Sequence, residues 1–276
     1  MKKIILAILI AFIFHENVYA KENMLYGIEL EEKDYTSISS FEKNYGSHDI
    51  YTFSIEDETK IPYMDILECS MAGKTPLLSF SENCNIEKCA QSLGKLHIEF
   101  IAEICPLTDT VDLEKNEYIS LFQTSSAALK KYAPKCQTLY SFSLNDIEKG
   151  IEYFPSDYYA DITGFIVYSK ENKNILYTVL QTEKAYVYFK DKTDIIISRF
   201  AVSHFSTDNP TYESEFASKF IEDYYSYISK NMDKISAIIY SNKYIYVNLP
   251  YLKYTNDYQI TSLNELGKAY KSIIEK

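Results

Sequence analysis

The 276-residue sequence predicts an α/β protein with a (β/α)8 TIM-barrel fold in a single domain. Three observations carry that expectation. Eight short, apolar, β-rich segments recur along the chain, segments with helical spacing lie between most of them, and no linker-like or low-complexity stretch divides residues 21–276. Strand followed by helix, repeated, favours parallel strands covered by helices over an antiparallel sandwich. Eight units match a closed barrel better than an open doubly wound sheet.

The strands are read at MLYGIEL (24–30), IYTFSIE (50–56), TPLLSFS (75–81), LHIEFIAEI (96–104), QTLYSFS (137–143), ITGFIVYS (162–169), DIIISRFA (194–201) and ISAIIYS (235–241). Helical spacing appears in SISSFEKNYG, YMDILECSMAG, EYISLFQTSSAALKKYA and YESEFASKFIEDYYSYISKNM. The segment ILYTVLQTEKAYVYFK fits a helix or a hairpin by pattern and is taken as the sixth helix. The tail SLNELGKAYKSII supplies a closing helix.

Before residue 21, Lys2 and Lys3 precede an apolar run from Ile4 to Phe14 and then Val18-Tyr19-Ala20. This reads as a secretory signal peptide over residues 1–20, with the barrel occupying 21–276. Eleven apolar residues are too few to cross a bilayer comfortably, and no later stretch approaches a span. The expected location is extracellular, or periplasmic in a cell with an outer membrane.

The formal net charge of −11 opposes a nucleic-acid backbone or an anionic membrane surface, so neither is an expected partner. Five cysteines follow the leader. Cys84 and Cys89 are close enough in sequence to form a disulfide, whereas Cys69, Cys105 and Cys136 show no recognised metal spacing. His48, His97 and His204 form no compact ligand motif, and neither a metal nor another cofactor is expected. The 27 Tyr and 15 Phe accompany no Trp, so any ring that stacks on a ligand must come from Tyr or Phe.

In a (β/α)8 barrel the carboxyl ends of the strands surround the functional mouth. Candidates there are Glu29 and Glu31 on the first strand, Glu99 and Glu103 on the fourth, Tyr168 on the sixth and Arg199 on the seventh, with His204 and Asp208 beyond it. Glu99 and Glu103 are four residues apart, which puts both on one side of a regular strand. Glu103 is the candidate general acid.

Two motifs give the chain a resemblance. FPSDYYADITGFIVYS is similar to the Tyr-Pro-Gly-Asp-x-Tyr-Val-Asp-x-x-Gly-x-x-x-Tyr entry into strand six of glycoside hydrolase family 26. Phe154, Pro155, Ser156, Asp157, Tyr159, Ala160, Asp161, Gly164 and Tyr168 occupy the matching places. The stretch from Glu99 to Pro106 resembles that family's Arg-Phe-x-His-Glu-Met-Asn-Gly, with the acid/base Glu falling on Glu103. The family's Arg, His and Asn are replaced by Glu99, Ala102 and Cys105. The family's known members include β-mannanases and related endo-acting β-glycanases. The resemblance runs over nearly all of residues 24–275, and its eighth strand places an aromatic, here Tyr240, at a sugar site, with Tyr244 and Tyr246 beyond.

Where that family carries its nucleophilic Glu in strand seven, this chain has Arg199. A guanidinium has no carboxylate oxygen with which to form a glycosyl ester, and retaining hydrolysis needs two carboxyl groups about 5–5.5 Å apart. Three accounts of Arg199 compete: an ion pair with Glu103, a contact to an anionic sugar group, or chemistry restored by another carboxylate, Asp208 being the nearest in sequence. The leading expectation is a secreted, catalytically degenerate barrel that binds extracellular or cell-envelope polysaccharide through Glu99, Tyr168, Arg199, His204 and Tyr240. The alternatives are a divergent β-glycan hydrolase with Glu103 as acid, and a structural or protein-binding barrel in a secreted assembly.

Overall fold

A computed structural model describes residues 24–30, 37–108, 111–169, 174–206, 212–249 and 252–276. The signal peptide read at 1–20, Glu31 and Asp208 lie outside them. Eight parallel strands close into a barrel in sequence order: β1 (Leu25–Leu30), β2 (Ile50–Ile55), β3 (Thr75–Phe80), β4 (Phe100–Ile104), β5 (Cys136–Ser143), β6 (Ile162–Ser169), β7 (Asp194–Val202) and β9 (Ile235–Asn242). Every strand segment read from the sequence is present. β9 pairs with β1 through Leu25↔Ala237 to Leu30↔Asn242, which closes the ring.

The helices are α1 (Ile38–Tyr45), α2 (Tyr63–Met71), α3 (Ile86–Leu93), α4 (Lys115–Tyr132), α5 (Ile147–Glu152), α6 (Ile175–Phe189), α7 (Ser214–Asn231) and α8 (Asn264–Ile274). The ambiguous segment before β7 is α6. Asn174 caps it by accepting from the Leu176 N–H, and Thr178, Val179, Thr182, Ala185, Tyr186 and Phe189 are buried at helical spacing. A hairpin would have split that apolar face.

The fourth strand is shorter than its sequence suggested. Gly94–Leu96 is a 3-10 turn, and His97 adopts a left-handed conformation (φ 56°), so pairing begins only at Phe100. Gly94 is required there for space: a Cβ would stand 1.9 Å from the Tyr132 carbonyl oxygen at the end of α4. Gly94→Ala is expected to cost on the order of 2 kcal/mol by forcing backbone apart, read as a lower urea midpoint.

Two additions were not anticipated. Strands β10 (Tyr244–Leu249), β11 (Leu252–Asp257) and β8 (Phe205–Ser206) form a separate antiparallel sheet in the order β10-β11-β8, beyond the carboxyl ends of β7 and β9. The second is an irregularity in β7.

The barrel interior changes character along its axis. Ile50, Leu77, Ile101, Leu139, Ile162, Ile196, Ala237 and Ile239 form an apolar floor separate from the larger core between sheet and helices. Alternation along the strands then brings Glu29, Ser79, Glu103 and Ser241 to the same inner face, two residues beyond Gly27, Leu77, Ile101 and Ile239. The polar layer lies toward the carboxyl ends.

Candidate functional site

Arg199 sits at the centre of this layer. Ile196 faces the floor, so in an unbroken strand Ser198 would share its side and Arg199 would face the helices. The pairing of β6 with β7 shifts register between Gly164↔Ile196 and Ile166↔Arg199, placing one extra residue in β7. This bulge turns Arg199 inward beside Ser198.

The guanidinium grips Glu103 with two parallel bonds: Nη1 donates to Oε1 at 2.7 Å and Nη2 to Oε2 at 2.6 Å. Nη2 also donates to Ser79 Oγ at 2.9 Å, and Nε to Glu29 Oε1 at 3.3 Å. Four N–H bonds are therefore committed within the protein, which leaves little for an anionic sugar group. Arg199, Glu103 and Glu29 are 6%, 0% and 1% exposed.

Glu29 has further partners. Ser241 Oγ donates to its Oε2 at 2.6 Å and Lys243 Nζ lies 2.8 Å from its Oε1. Burial alone would raise the Glu29 pKa, but the charges of Arg199 and then Lys243, with bonds from Lys243 and Ser241, outweigh it and hold the carboxyl at about 2. Burial would lower the Arg199 pKa, and the carboxylates of Glu103 and then Glu29 reverse that and raise it well above its ordinary value. Two anions and two cations leave the cluster formally neutral.

Tyr168 adjoins this cluster. Its ring is 5.5 Å from that of Tyr258 and its hydroxyl is 3.2 Å from Ser241 Oγ. Burial pushes its phenol pKa up.

The remaining candidates lie elsewhere. Glu99 is exposed and precedes β4 at the amino end of the barrel, so it does not share a strand face or a mouth with Glu103. Tyr240 is fully buried and points out of the barrel toward the helices: its hydroxyl donates to the Tyr258 carbonyl at 3.0 Å and its ring lies 5.2 Å from Tyr270. The inward residue of that pair is Ser241. His204 is also fully buried, with Nε2 2.9 Å from Ser262 Oγ and 3.5 Å from Asp257 Oδ2, and it ties the exit of β7 to β11. Cys84 and Cys89 face each other unbonded, with Sγ atoms 3.3 Å apart against about 2.05 Å in a disulfide.

The sequence reading passed over Ser79 and Lys243. Ser79 was signalled by its two-residue spacing from Leu77, and Lys243 by its place at the end of the eighth barrel strand. Among the described residues, no group of three or more His, Cys, Asp or Glu side chains is placed to hold a metal, and no helix is long and apolar enough to cross a membrane.

No protein-family model matches the sequence, and no curated protein matches it. Solved structures do match. The chain is similar to GH26C from Muricauda sp. MAR_2010_75 (TM-score 0.65, 12% identity, covering 93% of this chain and 86% of that one). It is also similar to a Cellulomonas fimi endo-β-1,4-mannanase double mutant (TM-score 0.63, 10% identity, 92% and 71% covered). Against Bacteroides uniformis β-glucuronidase 2 the TM-score is 0.58 at 12% identity, and 79% of this chain spans only 30% of that longer one. At these identities the likeness is one of fold: the chain is a (β/α)8 barrel of the kind found in glycoside hydrolases, family 26 structures among them.

Proposed function

We propose that the protein is a secreted, glycoside-hydrolase-like barrel that binds extracellular or cell-envelope polysaccharide without cleaving it. The observation that carries the loss of catalysis is the two-pronged bond between Arg199 and Glu103. Both oxygens of Glu103 accept from the guanidinium, so protonating Glu103 as a general acid would displace one of those bonds. Glu29 is likewise committed to Arg199, Ser241 and Lys243. Glycoside hydrolysis needs one carboxyl group to deliver a proton and another to attack or to activate water.

Polysaccharide binding is supported by the shared barrel fold and by side chains that keep exposure at this end. Tyr168 is half-buried, the Lys243 side chain is 31% exposed and Tyr244 is 41% exposed. In this reading a glycan lies over the ion cluster, against tyrosine rings, and does not enter it. An array of β-linked plant, algal and bacterial glycans probed with the full-length secreted protein is expected to show retention on at least one glycan. Tyr168→Ala should weaken that retention about tenfold, the loss of one aromatic contact.

A second reading, a structural or protein-binding barrel, is favoured by the internal satisfaction of the cluster. It predicts no retention on any glycan. That result would replace the first reading.

A further inference from the structure

We infer that Cys84 and Cys89 are a disulfide-forming pair that clasps the connection between β3 and α3 at the rim of the barrel mouth. This does not rest on the glycan reading. Cys84 lies in the turn after β3, where its N–H donates to the Ser81 carbonyl at 3.2 Å. Cys89 lies in the first turn of α3, with its N–H on the Asn85 carbonyl at 3.1 Å, and Asn85 caps the helix by accepting from the Lys88 N–H at 3.1 Å. Both backbones are thus held by local bonds while the sulfurs face each other at 3.3 Å. The gap exceeds an S–S bond of about 2.05 Å by only about 1.3 Å.

The two thiols are not equivalent. Cys84 is 6% exposed and Cys89 0%, so opening of the turn presents Cys84 first. The hydrogen bond from Cys89 lowers the Cys84 pKa, and the same bond, followed by burial, raises that of Cys89. By contrast, burial pushes Cys69, Cys105 and Cys136 each up to about 12. A thiol with a lowered pKa is the better nucleophile once the turn exposes it.

The co-reactant is a disulfide, such as a low-molecular-weight R–S–S–R or the active disulfide of a thiol oxidase. The Cys84 thiolate attacks one of its sulfurs, forming a mixed disulfide and releasing one thiolate. Cys89, giving up its proton to that thiolate, then attacks Cys84 Sγ and expels the second thiolate, which takes up the proton that Cys84 released to solvent. The protein loses two electrons and two protons, and R–S–S–R becomes two R–SH. The product closes a ring from residue 84 to residue 89 and pins the segment following Ser79, the β3 partner of Arg199.

The test incubates the reduced full-length protein with oxidised glutathione, quenches it in acid, alkylates the unfolded chain and maps peptides without reduction. The expected result is a Cys84–Cys89 link, with Cys69, Cys105 and Cys136 alkylated. The oxidised protein should also melt roughly 5 °C above the reduced one. Cys84→Ser or Cys89→Ser should abolish that difference, and Cys136→Ala should preserve it. Comparing oxidised with reduced wild type keeps the test intact if a variant fails to fold. Five alkylated thiols after oxidation, a link to another cysteine, a glutathione adduct that never closes, or a link with no change in melting would each overturn the inference.

Discussion

Arg199→Met will destabilise the protein by about 3–5 kcal/mol, the range for removing one partner of a buried ion pair. The loss comes from what is left behind. Glu103, with no exposed surface, loses both guanidinium bonds, Ser79 loses the Nη2 donor, and Glu29 keeps only Ser241 and Lys243. Pairing the change with Glu103→Leu should recover most of the loss, because a buried ion pair replaced by apolar groups of similar size is often neutral. Urea titrations of the two variants measure this directly. A single variant within about 0.5 kcal/mol of wild type, the range of an inert surface change, would mean that Arg199 is not the keystone of the polar layer.

Acid will destabilise the protein in two steps, each worth about 3 kcal/mol by linkage. The first belongs to His48, which is fully buried against Phe41, Tyr51 and Tyr270, with Nε2 3.1 Å from the Tyr270 hydroxyl. Burial lowers its pKa to about 4, outweighing the opposing pull of Glu42, and Lys74 lowers it further. Unfolded His48 takes up a proton near pH 6.5, before the folded residue does. Stability is therefore complete above that pH and falls until the pH has passed through 4. The second stage belongs to Glu29, held at about 2 against an ordinary 4.5. Its contribution is complete above 4.5 and is lost as pH falls toward 2. Urea midpoints measured across this range should show both limbs, and His48→Gln should erase the upper one alone. An unchanged upper limb in that variant would assign the acid sensitivity to other groups.

The barrel was legible because its signals are local and repeated. β-Rich segments such as TPLLSFS and ITGFIVYS alternate with helical patterns, and packing on both strand faces requires exactly such apolar runs only when helices cover the outside. Glu103 was legible as an acid in an otherwise buried strand. Strand parity alone misplaces Arg199, because its inward turn depends on a bulge set by the register between β6 and β7; the family resemblance nonetheless put it at the mouth and offered its pairing with Glu103. Tyr240 failed for the complementary reason: one step along β9 separates a core tyrosine from the inward Ser241. Glu99 was misplaced by a strand start four residues too early, where His97 breaks the extended backbone. Ser79 and Lys243 acquire their roles only through partners on β7 and β1, more than a hundred residues away in sequence.

The most direct test of the central claim is turnover. Soluble β-mannan, β-glucan and β-xylan incubated with the folded full-length protein should release no reducing ends above buffer, at any pH where the protein remains folded. Sustained release that disappears in a folded Glu103→Gln variant would contradict the account, because Glu103 would then be delivering a proton that its bonds to Arg199 are held here to prevent.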